Sequence, residues 1–408
     1  MSSQCVLLEN ARRIEPRLIE IRRAIHMNPE LGGMEFKTSR LVAQVLRELG
    51  IEVVENIAGT GVLGLLKGAA GVAGSRMRTV AIRADMDALP IQDKKDVPYR
   101  SRVPGVMHAC GHDGHVAMVL GAAMILAGVR GENKLPGNVK FIFQPAEEGP
   151  GGAKPMIEAG VLENPGVDMI LGAHIWPEIP VGRVAIKSGA ALASTDEIRI
   201  VIKGEGGHGA APHRAVDAIV VAAQVINALQ TIVSREVSPT SPVVLTIGTI
   251  QGGYRHNVIA DEVTMTGTLR TLNPVVRMEL PGKIDRLLRG IAGGMGASVE
   301  FTHIPGYPPT VNDSRIAELA SRSAAKVIGG ANVIREIEPS LGGEDFSYFL
   351  ERVPGAFIMV GAGNPEAGIT FPSHHPRFDF DERALATGAA ILSQAAFDYL
   401  SESSDFLP

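Results

Sequence analysis

A short segment near residue 110 concentrates side chains that can bind metal ions. The stretch MHACGHDGHVAMVLGAAMILAG, Met107 to Gly128, opens with one cysteine, three histidines and one aspartate, and continues as an apolar run that predicts a helix. Cys110 and His112 come just before this helix, where the positive end of the helix dipole favours a thiolate. A thiolate beside an imidazole suits a transition metal such as zinc or manganese.

Further polar side chains follow three predicted strands. Asp85 and Asp87 end "VAIRADMD", Glu147 and Glu148 end "VKFIFQPAEE", and His174 lies at the end of "MILGAHIW". The carboxyl ends of strands line the ligand crevice of an open α/β sheet, so we expect these side chains at one edge.

The combined donor set is large enough for two cations that share a bridging water. Its members are Cys110, His112, Glu148, His174 and one histidine of "FPSHHP". Glu147, beside one of these donors, is the candidate proton acceptor for that water. Taken singly, a cysteine at a helix start or a Glu-Glu pair is more often structural or solvated, and only their conjunction favours a metal site.

Three other histidines and one glycine motif receive different interpretations. We expect His108 and His115 to orient the ligands rather than bind metal, and His26 to be an ordinary helix-end residue. The segment "GTGVLG", Gly59 to Gly64, fits G-x-G-x-x-G. A strand pattern follows it where a dinucleotide site needs a helix, so nicotinamide binding is rejected.

Composition narrows the class of protein. The 408 residues are 45% hydrophobic and 20% charged, with a net charge of −5 and no basic run, which argues against nucleic-acid partners. The N-terminus becomes charged within its first residues, unlike a signal peptide, and no apolar run reaches the ~18 residues of a membrane span. Two cysteines make no disulfide framework, so we expect a cytoplasmic protein.

The order of predicted elements indicates an α/β domain interrupted by an inserted one. Two helices and alternating strands fill the first part. Between about residues 194 and 304, the pattern becomes strand–helix–strand–strand–helix–strand, the order of a ferredoxin-like sandwich. We therefore predict a catalytic domain in two parts, 1–188 and 306–408, around an inserted domain at 189–305, with hinges near Gly189 and Pro305.

The inserted domain carries its own polar candidates. His208 lies in the glycine-rich segment "GEGGHGAAPH", where a backbone can approach a ligand closely. His256 and Asn257 precede a strand in "YRHNVIADE", and Arg270 lies in "GTLRT". The planar guanidinium of Arg270 matches a carboxylate, although an ordinary charge on a sheet surface is the alternative.

Long motifs, in order along almost the whole chain, resemble the M20 family of metallopeptidases. They are RRAIHMNPELGGMEFKTS, AIRADMDALPI, MHACGHDGH, FQPAEEGPGGA, GAHIWPEIPVG, GEGGHGAAPH, GTIQGGYRHNVIADEV and GTLRT. Within that family they resemble the amidohydrolase branch, which contains hippurate hydrolases, N-acyl-amino-acid amidohydrolases and auxin-conjugate hydrolases. The resemblance implies a zinc-exopeptidase-like mixed sheet flanked by helices and interrupted by a ferredoxin-like lid or dimerisation domain.

The resemblance also implies roles for individual residues. The matching metal ligands are Cys110, His112, Glu148, His174 and a histidine of "SHHP", for which His374 is favoured and His375 stays open. Glu147 matches the general base, and Asp87 matches a carboxylate that supports the metal site. No ligand role passes to Asp85. His208, Asn257 and Arg270 match positions that hold the scissile carbonyl or the substrate carboxylate, in some relatives from the partner subunit.

The expected function is hydrolysis of the amide bond of N-acyl amino acids by a metal-dependent amidohydrolase of the aminoacylase type. Two divalent ions per subunit are expected, with zinc, manganese, cobalt and nickel all open. A dipeptidase or carboxypeptidase on the same scaffold is the alternative, and a non-catalytic binding protein would require a missing base or ligand. The expected partner is a small-molecule substrate, with no nucleic acid or membrane. An exposed edge of the lid sheet is the candidate surface for a homo-oligomer.

Overall fold

The computed structural model describes residues 3–68, 77–132 and 134–402. The chain divides into two compact units. The first comprises Met1–Gly189, Val311–Ile337 and Tyr348–Pro408, and the second comprises Ala190–Thr310 and Glu338–Ser347. The expected ranges 1–188, 189–305 and 306–408 stay a prediction about domains.

The elements are numbered in chain order. The helices are α1 (Ser3–Met27), α2 (Phe36–Glu48), α3 (His112–Gly131), α4 (Ala153–Glu158), α5 (Ala218–Thr231), α6 (Pro274–Gly294), α7 (Ser314–Ile328), α8 (Ser347–Leu350) and α9 (Arg383–Ser401). The strands are β1 (Glu52–Ile57), β2 (Gly61–Leu66), β3 (Thr79–Asp85), β4 (Asn138–Gln144), β5 (Met169–Pro180), β6 (Val184–Ala185), β7 (Gly189–Leu192), β8 (Asp196–Lys203), β9 (Gly207–His208), β10 (Val243–Gly252), β11 (Val258–Ile259), β12 (Glu262–Thr271), β13 (Ser298–Ile304), β14 (Thr310–Asn312), β15 (Val333–Ile334) and β16 (Gly355–Gly363).

The first unit is built on an eight-stranded mixed sheet with the order β1-β2-β4-β3-β5-β16-β6-β15. Its four central strands, β4, β3, β5 and β16, run parallel to one another. Strand β1 pairs antiparallel with β2, β2 with β4 and β6 with β16, whereas β15 pairs parallel with β6. Every residue of β3 and β4 is buried, as expected for central strands of a covered sheet. Their carboxyl ends therefore define one edge of a rigid platform.

The helix that follows the Cys-x-His segment lies in the core of this unit. Helix α3 is apolar around most of its circumference, and nearly all of its residues from His112 to Leu126 are buried, which fits a core helix. A Cβ added at Gly121 would lie 2.8 Å from Ala389 Cβ and 3.0 Å from Leu18 Cδ1, so the glycine permits close packing with α9 and α1. The packing fixes the position of the Cys-x-His segment at the start of α3.

The second unit contains a four-stranded antiparallel sheet with the order β10-β12-β8-β13. Helices α5 and α6 contribute Val225 and Ile284 to its separate apolar core. Asp217 and Asn273 begin these helices, because each side chain accepts backbone N–H groups of the first turn. The four strands of this sheet and the two helices follow one another in the predicted order, and the short strands β9 and β11, which were not predicted, form a separate two-stranded sheet. The prediction of an α/β fold with a mixed sheet flanked by helices is confirmed.

Two strands differ from the sequence-based expectation. Strand β1, "EVVENI", was not predicted; it is a half-exposed edge strand with alternating exposure and no apolar run. Strand β5 continues to Pro180, past the expected end near His174, because β16 pairs with it as far as that residue. His174 consequently lies inside a long strand rather than at its end.

Two helical segments, His112–Gly131 and Ala218–Glu236, are long and apolar enough to cross a membrane by length and composition. The apolar window of the first is 67% buried inside the protein. Core helices of soluble proteins pass the same test, so these segments are weak evidence for membrane insertion.

Candidate metal centre

The sheet register brings the candidate residues of the first unit to one edge. Asp85 pairs with Gln144, the last residue of β4, so Asp87 and the Glu147–Glu148 pair follow neighbouring strand ends. The register between β3 and β5 ends with Arg83 opposite Gly172, two residues before Asp85 and His174. Strand order alone therefore gathers the carboxylates and the imidazole.

Five candidate ligands form two overlapping donor groups that share a single side chain. The ligand atoms of Cys110, His112 and His174 lie within 4.8 Å of one another, as do those of Cys110, Glu148 and His374. Cys110 Sγ is 3.4 Å from His174 Nε2. Cys110, common to both groups, therefore occupies the position from which a thiolate could bind two ions.

Hydrogen bonds set the tautomers of two of these histidines. The Nδ1–H group of His174 donates to the carbonyl oxygen of Ile175 at 2.6 Å, and Nδ1 of His112 lies 3.2 Å from Asp87 Oδ1. In each ring Nε2 is the nitrogen that remains to face a metal. Among the described residues, buried His112 Nε2 has no hydrogen-bond partner.

The chain places His374, rather than His375, beside the other donors. His374 Nε2 lies 3.2 Å from Glu148 Oε1, and its backbone, in the left-handed region with φ 66°, donates an N–H to Ala109 O. His375 stacks on Phe371 with ring centroids 4.4 Å apart, and its Nδ1 accepts the Arg377 N–H. Geometry thus favours His374 as the candidate ligand.

The candidate base and its supporting aspartate are adjacent. Asp87 Oδ1 and Oδ2 accept the backbone N–H groups of Glu147 and Glu148, each at 3.0 Å. Glu147 is buried, and its carboxylate lies within 4.8 Å of the donor atoms of His112 and Glu148. Asp87 therefore orients one ligand ring and the loop that carries both glutamates.

Burial dominates the electrostatics of the thiol. It raises the pKa of Cys110 to about 12 in the metal-free protein, although His112 acts in the opposite direction. In the metal-free protein, the effect of burial on this pKa therefore outweighs that of the helix dipole, which favours the thiolate. Burial also holds the pKa of His174 well below its usual range, so that this ring is neutral and can bind a metal.

A hydrogen-bonded carboxylate–histidine pair lies beside the candidate ligands. His115 Nδ1 lies 2.6 Å from Asp85 Oδ1, and His115 Nε2 accepts the Ile175 N–H at 2.8 Å. Arg83 donates to Asp85 Oδ2 at 2.8 Å. Both ring nitrogens of His115 are therefore occupied by hydrogen bonds, and His115 is a supporting group rather than a candidate ligand. The His115 ring lies 4.3 Å from the ring of His174.

Sequence reasoning missed a buried charged network beneath the start of α3. His26, interpreted as an ordinary helix-end residue, is fully buried, and its Nδ1 lies 2.7 Å from Asp113 Oδ2. Arg22 Nε donates to the same oxygen at 2.8 Å. Only the neighbouring motifs of the M20 resemblance could have drawn attention to these residues, because an Arg is rarely fully buried and the burial of a His does not follow from its residue type.

The three substrate-binding candidates lie in the second unit. His208 pairs with Val258 between β9 and β11, and the Gly209 N–H donates to Asn257 O at 2.9 Å, so His208 and Asn257 are neighbours. His208 Nδ1 accepts the Ala210 N–H, which leaves its Nε2–H as a donor. Arg270, half-buried, lies on β12 opposite Val244 of β10.

The donor chemistry fits divalent transition metals. A thiol, imidazole rings that present Nε2 and a carboxylate are ligands of zinc and related ions, and the unpartnered buried nitrogen of His112 is what a metal ligand shows without its ion. The fold and this donor set are those of a metal-dependent hydrolase.

Comparison of the sequence with models of known protein families identifies one matching family. Residues 81–398 match the model of peptidase family M20/M25/M40, and the chain belongs to this family. Its members are hydrolytic enzymes, and the predictions of M20 membership and of a hydrolytic enzyme are confirmed.

Individual relatives cover nearly the whole chain. It is 43% identical to thermostable carboxypeptidase 2 of Saccharolobus solfataricus, over 94% of this chain and 95% of the relative. It is 42% identical to N-acetylcysteine deacetylase of Bacillus subtilis, over 93% and 96%. A Bacillus subtilis structure described as a dinuclear metal binding peptidase from the M20 family matches with TM-score 0.83 and 38% identity, covering 95% of this chain and 99% of that one. Together with the donor groups, that structure supports the predicted divalent-metal cofactor.

Proposed function

We propose that the protein hydrolyses the amide bond of N-acyl amino acids at a dinuclear metal centre. The observation that carries this proposal is the pair of donor groups that share Cys110, with a buried carboxylate beside them. The ions would be held by Cys110, His112 and His174 on one side and by Cys110, Glu148 and His374 on the other. The N-acetylcysteine deacetylase relative supports an acyl amino acid as the substrate class.

Glu147 carries the proton transfers in this proposal. Two bound divalent ions supply an activated water and polarise the scissile carbonyl. The Glu147 carboxylate accepts the proton of the attacking water and passes it to the departing amino nitrogen, so the acyl carbon–nitrogen bond breaks as a carbon–oxygen bond forms. Asp87 supports this step, because it accepts the Glu147 N–H and fixes that residue's backbone.

The proposal assigns substrate contacts to three residues of the second unit. His208 Nε2–H would donate to the developing oxyanion, Asn257 would bind the same region, and Arg270 would bind the free α-carboxylate. These roles rest on the resemblance to the M20 family. We further propose the cytoplasm as the location, and a lid domain at residues 189–305 through which copies can associate.

Substitution of the base tests the mechanism. Glu147→Gln keeps the shape of the side chain but cannot accept a proton, so we expect kcat to fall by about 10²- to 10⁴-fold. Metal content, measured by elemental analysis, stays at the wild-type level. Glu148→Gln is the matched control, since it is expected to lose metal together with activity. Near-normal turnover by the Glu147→Gln enzyme would overturn the assignment of the base.

Carboxypeptidase activity is the second candidate function. It is favoured by the identity with the Saccharolobus solfataricus carboxypeptidase. Metal-stripped enzyme is reloaded separately with zinc, manganese, cobalt or nickel and assayed on N-acyl amino acids and on unblocked dipeptides. We expect the acylated substrates to give the higher kcat/KM, and preference for dipeptides would establish the alternative.

A further inference from the structure

Glu35 is a buried carboxylate that the proposed reaction does not use. It lies in the loop between α1 and α2 and is fully buried. Its Oε1 accepts the backbone N–H groups of Gly33 and Ala146, both at 2.9 Å, and its Oε2 accepts the Thr60 hydroxyl at 2.5 Å. One side chain therefore connects three segments that are distant in sequence.

Its contact with Ala146 reaches the turn that leads to the general base. Ala146 follows β4 directly before Glu147, and its φ of 55° lies in the left-handed region, which is unfavourable for a residue with a Cβ. The loop also packs closely on this turn, since a Cβ at Gly32 would lie 3.1 Å from Ala146 Cα. The strained conformation is thus supported by a specific hydrogen bond and by direct packing.

The turn is held from two directions. Asp87 binds the backbone N–H groups of Glu147 and Glu148, whereas Glu35 binds the preceding N–H, at Ala146. The Glu148 side chain also lies 3.2 Å from His374. Loss of Glu35 would therefore release the left-handed turn at Ala146, which leads into Glu147, while Asp87 still binds the N–H groups of Glu147 and of the candidate ligand Glu148.

We propose that Glu35 is a positioning residue for Glu147. By fixing the left-handed turn at Ala146, it keeps the Glu147 carboxylate in reach of the attacking water and of the leaving nitrogen. The inference rests on the proposed role of Glu147 as general base. Glu35 would contribute by holding Glu147 in place. Such positioning matters because misplacement of a catalytic group by ~1 Å can cost about 10²-fold in rate.

Substitution of Glu35 is tested by steady-state kinetics and elemental analysis on the metal-loaded enzyme. Glu35→Ala removes the acceptor for Ala146, and we expect kcat to fall by about 10- to 100-fold while KM changes by less than about threefold. Bound metal per chain stays at the wild-type level. Glu35→Gln is expected to restore most of kcat, because its amide oxygen accepts both N–H groups and its amide nitrogen donates to the Thr60 hydroxyl.

Glu30 supplies a matched control on the same loop. Its carboxylate accepts the Lys37 and Thr38 N–H groups at the start of α2. Glu30→Ala removes the acceptor of these two N–H groups. It leaves the Glu35 carboxylate, which accepts the Ala146 N–H, in place. We expect it to lower the thermal midpoint but to leave kcat within about threefold of wild type.

The outcomes separate the inference from the function on which it rests. If the wild-type enzyme cleaves neither N-acyl amino acids nor unblocked dipeptides, the proposed function fails. If wild type is active and Glu35→Ala retains kcat, or loses metal in parallel with activity, the positioning role is overturned. Should the alanine variant not fold, Glu35→Asp replaces it; its shorter side chain cannot reach all three donors, and an unchanged kcat would refute the inference.

Discussion

At the scale of single residues, the site is defined by which nitrogen or oxygen atom of each side chain is not already occupied by a hydrogen bond. Hydrogen bonds occupy Nδ1 of His174 and both ring nitrogens of His115, although the two rings lie only 4.3 Å apart. A metal ligand needs a free lone pair, so occupancy distinguishes a candidate ligand from a supporting group. Residue type alone does not make this distinction.

The pair His374 and His375 provides the sharpest test at this scale. His374→Ala removes a donor 3.2 Å from Glu148, and we expect it to lower metal affinity at least about tenfold. His375→Ala is the matched control, because its ring is stacked on Phe371 and accepts the Arg377 N–H. Titration of the metal-free variants, followed by the fluorescence of Trp176, whose ring lies 5.6 Å from that of His174, measures both affinities. Equal losses in the two variants would contradict the assignment of His374.

At the scale of elements, buried charge fixes the start of α3 on its neighbours. Arg22 of α1 is fully buried and donates to Asp113 on the first turn of α3, at 2.8 Å, and to Asp379, at 2.8 Å. It also lies 3.1 Å from Glu382, which immediately precedes α9. The ion network thus connects α1 with the first turn of α3 and with the residue that precedes α9. Asp113 directly follows His112 in the sequence, so the network holds the part of α3 that carries this candidate ligand.

Removal of this guanidinium should destabilise the protein strongly. Arg22→Met leaves buried carboxylates without their cation, and we expect the free energy of unfolding to fall by about 3–5 kcal/mol in urea denaturation. Arg17→Met on the same helix is the control: Arg17 pairs with Glu20 at the surface, and its loss should cost less than about 1 kcal/mol. A similar small change in both variants would mean that the buried network contributes little to stability.

The sequence predicted those parts of the fold and site that leave a local pattern. The strand that ends in Asp85 and the Glu147–Glu148 pair carry such patterns, since apolar runs followed by polar residues mark strand ends. Arg22 with Asp113, 91 residues apart, and Glu35 with Ala146, 111 apart, do not. Their partners are set by tertiary packing, which no local spacing encodes. The choice between His374 and His375 likewise required the backbone conformation.

At the scale of the whole molecule, buried histidine couples stability to pH. His108 is fully buried, and neither of its ring nitrogens has a hydrogen-bond partner among the described residues. Burial lowers its pKa to about 3, despite the opposing charge of Asp113. The folded protein therefore holds this ring neutral at pH values where the unfolded chain binds a proton.

The sign of the pH effect follows from this difference. Between about pH 6.5 and pH 3 the unfolded state binds one more proton at His108, so stability is lost progressively as the pH falls through this window, by at most about 4–5 kcal/mol. His108→Leu removes the titration and no intramolecular hydrogen bond, so we expect near-wild-type stability at pH 7 and a shallower loss on acidification. Urea denaturation of the metal-free protein at a series of pH values measures the slope, with exposed His213→Leu as the control. If the slope of His108→Leu equals that of wild type and of His213→Leu, His108 is not the group that senses acid, because removing a neutral buried imidazole must remove its proton uptake from the unfolding equilibrium.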